Sequence, residues 1–352
     1  MNDDFINLAT AIKNQYLLET EVLFTTQKQK WFANFAEQFQ SICTDIVKLQ
    51  NESSLPAISY MEYTMLYTNF INRRYVAEIR IYGDMRYFDK NQCMIGEYDL
   101  SFLFVYFEAL WEKLLATRKR YVGKVSAQKV ASFMIQALPD FYSYLFIIAR
   151  FAIADCIDKK PFVDIIKNKL FWINVGPYMT KNSETAFKEN KNKDAETLAE
   201  WFCERLENAY AFEDYADLNF SGYTFDYTDF RYAHFRNSNL NNVVLEGSNL
   251  IGTSFYNTNM ENCRLDNCYI HQTDFSYAIL KNASFINARG RFGLPDDKEW
   301  QHVGFLPVSF RHADLTNVDF RGADLTGADF TGAVLDGVDF TDTILDGAIF
   351  RQ

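Results

Sequence analysis

The chain has 352 residues, of which 48% are hydrophobic and 17% aromatic, and its net charge is −11. That much apolar surface suits one or two globular domains with a sizeable core and excludes a disordered or collagen-like chain. The negative balance disfavours direct nucleic-acid binding, since phosphate is repelled unless a basic patch intervenes, and the one candidate patch, Lys113 to Lys124, reads as a solvated helix end.

The N-terminus is acidic at Asp3 and Asp4 with no apolar run behind it, so no secretory signal is expected. From Asp3 to Gln50, Phe5, Leu8, Ile12 and Tyr16, then Phe32, Phe35, Phe39, Ile42, Ile46 and Leu49, fall at helical spacing. Two helices broken near the polar residues 25–29, or one long helix, both fit. Ser59 to Tyr82 alternates like a hairpin turning near Asn72–Arg74, with a third strand at Met85 to Phe88. Beyond Gly96 four helices are expected: Leu100–Ala116, Ser126–Leu138, Phe141–Asp158 and Phe162–Trp172, with Pro139, Pro161 and Pro177 at the joints. The window Phe141 to Ile157 is apolar but contains Arg150 and Asp155, so it reads as a buried helix and no membrane contact is expected. The aromatic density of this part reads as core. Thr180 to Lys193 is polar and reads as a boundary loop. Asp194 starts a helix through about Ala211 that caps the C-terminal domain, with Trp201 and Phe202 over its first coil.

From Ala216 onward every fifth position is a large apolar residue, from Phe220, Phe225, Phe230 and Phe235 on to Phe285, and again from Phe310 to Phe350. Two residues before each sits a small one, such as Thr258, Cys263, Ala278 or Ala328. A period of five fits neither the 3.6 of a helix nor the 2 of a flat strand, so the backbone must turn a corner every five residues and coil. Positions i and i−2 share one side of an extended segment and point inward.

These residues resemble the pentapeptide-repeat family, whose unit reads A(D/N)LxX; Ala313–Asn317 and Ala328–Gly332 match it residue for residue. The resemblance implies a right-handed quadrilateral β-helix with four pentapeptides per coil. The expected fold class is thus α+β: a mostly helical, aromatic-rich domain over 1–180 with a small β-hairpin, a linker and capping helix over 181–215, and the β-helix over 216–352. Twenty residues per coil would stack Phe235, Phe255 and Phe275 in one column and Phe310, Phe330 and Phe350 in another. Residues 286–309 interrupt the repeat; counting one ordinary step plus one whole coil from Phe285 to Phe310 keeps the register. Trp300 and Phe305 hold the five-residue phase, and Pro295 begins what reads as a short helix.

Excursions from a regular scaffold are where recognition concentrates, so Arg289, Arg291, Trp300 and His302 are the expected contact residues of a protein partner. A second candidate surface is acidic: residues 216–352 carry −8 of the net −11, and Asp314, Asp319, Asp324, Asp329 and Asp339 concentrate it in the last coils. Some members of the family mimic DNA at a type II topoisomerase such as gyrase, which makes a topoisomerase the alternative partner that the resemblance implies. Only Asp319 and Asp339 share face and position, however, and Asp before the large residue is also ordinary turn chemistry. After Phe350 only Arg351 and Gln352 remain, which leaves an uncapped coil edge and an expected homo-oligomer through it.

The six cysteines form no CxxC pair, and His234, His271, His302 and His312 are scattered, so neither metal nor cofactor is expected and the cytoplasm is the expected compartment. Cys263 and Cys268 read as small inward hydrophobes. No nucleophile elbow or phosphate loop supports catalysis. The residues an enzyme would draw on in the N-terminal domain are Glu62, Arg73, Arg74, Glu78, Arg80 and Asp84, which read more simply as exposed strand positions and a turn. A non-catalytic protein-interaction scaffold is the function expected.

Overall fold

The computed structural model describes residues 2–90, 92–121, 123–178, 184–191, 194–207, 209–293 and 306–352. The chain divides into two compact units, Met1–Phe187 and Lys188–Gln352, and its fold class is α+β.

In the first unit, α1 (Asn2–Asn51) is a single helix of 50 residues. It runs unbroken through the polar stretch at 25–29 because that stretch holds no Gly or Pro, and the Thr26 hydroxyl donates back to the Val22 and Leu23 carbonyls at 3.0 and 2.9 Å. Its buried residues, among them Phe24, Phe35, Phe39 and Ile46, return on one side at helical spacing. The strands β1 (Ile58–Met65) and β2 (Val76–Tyr82) pair antiparallel and are joined by the one-turn α2 (Tyr67–Ile71) and a turn in which Arg73 has φ 57°. They belong to a five-stranded sheet of order β3-β2-β1-β4-β5, completed by β3 (Cys93–Asp99), β4 (Lys167–Pro177) and β5 (Glu184–Asn190), in which β1 and β4 are parallel. One sheet face is apolar: Met61, Tyr63, Ile79, Ile81, Ile173 and Val175 are all buried, and the Tyr63 ring lies 4.9 Å from that of Phe35 on α1.

Four expectations change in this unit. The third strand is β3, while Arg86–Phe88 forms a 3-10 turn, because Arg86 takes a left-handed φ of 45° that ends any extended run. The segment expected as a helix over Phe162–Trp172 is a short turn followed by β4, whose alternation of Phe171, Ile173 and Val175 is a period of two misread as a helical face. The helix expected from Leu100 is α3 (Val105–Thr117) and begins one turn later. Pro139 lies inside α4 (Ala127–Ala154) instead of ending a helix. A proline there costs about 3 kcal/mol; the continuous buried face of Met134, Leu138, Phe141, Tyr142 and Leu145 offsets it. Of the apolar window of α4, 72% is buried, as in a core helix.

The polar 184–190 segment is strand β5 and not loop. In the second unit, α5 (Ala195–Cys203) starts at Asp194, whose carboxylate accepts from the Thr197 amide at 2.9 Å and hydroxyl at 2.6 Å. It ends before Ala211, since Arg205 takes φ 49° and the Tyr210 hydroxyl donates to the Trp201 carbonyl at 2.7 Å. Phe202, fully buried, sets its ring 5.0 to 5.6 Å from those of Phe220, Phe225 and Phe230 and closes the first coil.

From there each pentapeptide bridges the one twenty residues on in parallel, as Asn219 with Asn239 and Asn239 with Asn259. The large residue of each unit points inward and is buried as far as Phe330, while in the last coil Leu335, Phe340 and Leu345 are half-buried. The second residue after it turns the corner at φ near 55 to 80°, and Asn, Gly and Tyr dominate there because they tolerate or relieve that conformation. At Gly252 only glycine fits: a Cβ would stand 2.4 Å from the Tyr232 ring of the coil before. Side chains at these corners stack into ladders, with Asn262 Nδ2 donating to Asn242 Oδ1, Asn282 to Asn262 and Asn317 to Asn282, at 3.1 to 3.2 Å.

The interruption is narrower than 286–309. The coil persists through Gly290 and Phe292, whose amides donate to Asp324 and Thr326, and it has resumed by Val308. Across it Asp274 bridges Ser309, a step of thirty-five residues instead of twenty, so fifteen are extra. Phe310 therefore stacks on Phe275, at 5.1 Å and 4°, two steps after Phe285 and not one. The missing step is Gly290, which holds a large-residue position because a Cβ there would meet Val308 at 2.6 Å and Ile270 at 2.9 Å. The two expected phenylalanine columns are consequently one: Phe235, Phe255, Phe275, Phe310, Phe330 and Phe350 stack at 4.8 to 5.4 Å and within 15° of parallel. Trp300, Phe305 and the helix expected at Pro295 lie outside the described residues.

Candidate functional site

The acidic ring of the last coils sits immediately before the inward residues. Each carboxylate is engaged by its own turn: Asp314 accepts from the Thr316 amide at 3.2 Å and hydroxyl at 2.6 Å, Asp324 from those of Thr326 at 3.1 and 2.7 Å, and Asp339 from those of Thr341 at 2.9 and 2.6 Å. Asp329 accepts from the Thr331 amide at 2.9 Å and from Arg311 at 3.1 Å, and Asp319 is held by Arg321, whose Nη2 lies 2.6 Å away. Hydrogen bonds from Arg321 and from Thr341 lower the pKa of Asp319 and Asp339 respectively. At Asp314 and Asp329 burial opposes the ionised form, but the Thr316 and Thr331 donors, with Lys281 and Arg311, prevail and the pKa falls. All four stay ionised at neutral pH. Asp319 bridges Asp339, whereas Asp314, Asp324 and Asp329 bridge Val334, Ile344 and Ile349. The carboxylates are distributed around the coil.

A vertical acidic stripe does exist two positions further on, just after the inward residue. Asp226, Glu246 and Asp266 come after successive large residues twenty apart, but Arg205 pairs with Asp226, and Arg264 pairs with Glu246 and, at 3.7 Å, with Asp266. The twenty-residue spacing of these acids was readable in the sequence.

At the excursion, Arg289 still belongs to the coil: its amide donates to Cys268, and its guanidinium lies 5.4 Å from the centre of the Tyr269 ring. Arg291 is exposed, and its carbonyl is 3.0 Å from His271 Nδ1. The two arginines thus flank the exit of the chain from the coil, while Trp300 and His302 lie outside the described residues. Phe350 stacks on Phe330 and remains 49% exposed.

The inward small positions are not merely apolar, as expected for Cys263 and Cys268. Hydroxyls and thiols there donate to the carbonyl of the large residue twenty-three positions earlier, Thr258 to Phe235 at 2.8 Å and Thr273 to Leu250 at 2.7 Å, with Cys263 Sγ 2.8 Å from the Leu240 carbonyl. Burial pushes the Cys263 and Cys268 thiols up to about 12, so both are inert thiols. Among the described residues no cluster of His, Cys, Asp and Glu could hold a metal ion.

In the first unit, the polar residues considered for catalysis separate. Arg73 pairs with Glu108 and Glu112, and Arg74 with Glu97. Asp84 accepts from Ser59 and Asn168. Glu62, Glu78 and Arg80 come together on the second face of the sheet, where Glu62 stands opposite Arg80 on β2 and Asn174 on β4. They are not exposed strand positions as expected, for Glu62 is 4% and Glu78 8% accessible. The loop through Arg86 and Tyr87 explains it: Arg86 reaches Glu62 at 2.6 Å.

A fold built of stacked five-residue units is a repeat protein. The pentapeptide-repeat family model matches eight copies, over residues 228–267 and 310–352, so the second unit carries pentapeptide repeats; residues 1–227 lie outside the match. No curated protein matches the sequence. Solved pentapeptide-repeat structures align with it: a protein of the Arabidopsis thaliana thylakoid lumen (26% identity, 34% of this chain and 66% of that one, TM-score 0.15) and Rfr23 from the cyanobacterium Cyanothece 51142 (21%, 44% and 95%, 0.16). Full-length QnrB1, a plasmid-mediated fluoroquinolone resistance protein, aligns at 15% identity over 40% of this chain and 84% of its own, with a TM-score of 0.18.

Proposed function

We propose that the second unit is a right-handed quadrilateral β-helix serving as a non-catalytic scaffold that binds a protein partner through its outer walls and its excursion. The observation carrying this reading is the closed interior: one phenylalanine column runs from Phe235 to Phe350 with ring centres no more than 5.4 Å apart. Such packing leaves no lumen for a substrate, so recognition falls to the outside. Arg289 and Arg291 at the start of the excursion and the aspartates from Asp314 to Asp339 are the contact groups, in a cytoplasmic protein that self-associates through the edge at Phe350. Affinity capture from cells tests this with the full chain and with a chain lacking 293–307, which keeps Phe292 and Val308 in place. A partner lost on deletion supports the scaffold; identical partners from both chains contradict the role of the excursion.

The stripe of Asp226, Glu246 and Asp266 favours a second reading, a DNA mimic acting on a type II topoisomerase. Arg205 and Arg264 neutralise much of that stripe, which ranks it below the scaffold. A gyrase supercoiling assay left unchanged by a large molar excess of the protein would eliminate it.

A further inference from the structure

The sheet of the first unit has a second face that is neither apolar nor open to water. Tyr60, Glu62 and Thr64 on β1, Glu78, Arg80 and Tyr82 on β2, and Trp172 and Asn174 on β4 share it by the period of two. Tyr60 stacks on Trp172 at 6.4 Å and 21°. The segment 83–88 folds back over this face, and the Tyr87 ring meets Tyr82 edge-on at 5.5 Å and Tyr178 at 5.7 Å.

A guanidinium sits at the centre. Arg86 donates from Nε and Nη2 to Glu62 at 2.6 Å, and its Cζ lies 5.1 Å from the Tyr60 ring and 4.7 Å from the Tyr87 ring. A planar cation above aromatic rings and against a nearly buried carboxylate is the arrangement by which proteins recognise arginine side chains. Arg80 lies similarly 5.6 Å from the Tyr178 ring, but its carboxylate is Glu78, two residues away on the same strand. Arg86, by contrast, comes from a loop and reaches the site in a left-handed backbone conformation that a side chain disfavours.

Two further observations point to an occupant other than Arg86. Tyr82 is 1% accessible, yet its hydroxyl has no hydrogen-bond partner; a buried hydroxyl of that kind calls for one. Burial first, then the Glu62 charge, raise its pKa, and the same two causes push Tyr87 up to about 12, so both phenols remain protonated donors beside the carboxylate. The loop that carries Arg86 also displays Met85 at 66% and Phe88 at 84% exposure, apolar handles with nothing of this unit covering them.

We propose that Glu62, Tyr60, Tyr82 and Tyr87 form a guanidinium-binding site in which Arg86 is an internal, displaceable ligand, and that the arginine side chain of a partner protein docking on Met85 and Phe88 takes its place. The incoming arginine replaces Arg86 at Glu62, the loop relaxes from its left-handed residue, and the Tyr82 hydroxyl oxygen accepts from an N–H of the new guanidinium. Residues 1–187 hold 20 acidic and 21 basic side chains and are nearly neutral as a whole, so the incoming arginine is selected by the local carboxylate of Glu62 and the rings around it and not by long-range charge. This inference concerns the first unit alone and stands or falls independently of the scaffold reading.

Calorimetry on the full chain with Nα-acetyl-arginine amide as probe tests it. Arg86→Ala is expected to bind the probe saturably and at least about tenfold more tightly than the unaltered chain, and Arg86→Ala with Glu62→Gln is expected to lose that gain. No saturable uptake by Arg86→Ala, or equal uptake after Glu62→Gln, would overturn the proposal. Should Arg86→Ala fail to fold, the unaltered protein decides. Hydrogen exchange of the 83–90 amides is expected to quicken with added probe and not with an equal concentration of sodium chloride, and an unchanged rate overturns the displacement.

Discussion

The two units solve the same problem, burying aromatic residues, in opposite ways. In the first, the rings of Phe35, Tyr63 and Tyr98 come from α1, β1 and β3 and meet at 4.9 to 6.4 Å with mixed angles, a mosaic assembled from segments far apart in the chain. In the second, Phe235, Phe255 and Phe275 meet within 15° of parallel and are twenty residues apart. Periodicity makes the second core local and additive, as in other solenoids, whereas the first depends on every element being in place at once. Damage to the column should therefore stay near the damaged coil, while damage to the mosaic should be felt throughout its unit.

The largest effect is expected at Phe255, fully buried and stacked on both sides. Phe255→Ala should cost about 3–5 kcal/mol, and urea titration read by hydrogen exchange should place the loss in the adjoining coils and leave the first unit unchanged. Simultaneous melting of both units would erase the contrast between them. Pro139→Ala should act in the other direction, stabilising the first unit by about 1–3 kcal/mol by restoring an amide donor and helix propensity inside α4. A thermal melt in which the variant unfolds earlier would show that the proline is needed for packing.

Smaller effects probe the buried hydroxyls and one histidine. Thr258→Val keeps the shape and removes the donor to the Phe235 carbonyl, for an expected loss of about 1 kcal/mol in denaturant unfolding. His271 has its pKa lowered by burial, against the opposing pull of the Arg291 carbonyl and Asp324. A folded-state pKa below the unfolded value of about 6.5 gives stability that is present above that value and lost as pH falls through the folded one. The second unit should therefore melt at lower temperature at pH near 5 than near 7.5, and His271→Gln should flatten the slope; an equal slope in the variant would assign the acid sensitivity elsewhere.

Legibility in the sequence divides along the same line. The five-residue period reveals the inward set, the twenty-residue stacking of Phe235, Phe255 and Phe275 and the cap at Phe202, because each depends on neighbours a fixed distance along the chain. It does not reveal that Gly290 stands in a large-residue position, since a glycine breaks the pattern by which such positions are recognised, and the phase of Phe310 shifts by one face as a result. Nor can Thr258 or Cys263 be seen as donors, because their acceptors lie in the preceding coil. In the first unit β3 and β4 escape recognition: β4 reads as an apolar run, and its strand identity comes from parallel pairing with β1 more than a hundred residues away. Glu62 looks exposed for the same reason, as its cover arrives on a separate loop.

The excursion is an irregular insertion in the most regular part of the molecule. The phenylalanine column continues across it, because Phe275 and Phe310 stack as successive coils do. Removing 293–307 takes out the fifteen extra residues, keeps Phe292, whose amide donates to the Thr326 carbonyl, and returns Val308 and Phe310 to twenty-residue register. The unfolding temperature of that chain is the most direct test. It should equal that of the full chain to within about 2 °C, a shift of less than 1 kcal/mol for a chain of this size. A fall of 10 °C or more, about the loss of several kcal/mol, would show that the column is not continuous and that the excursion holds two separate stacks together.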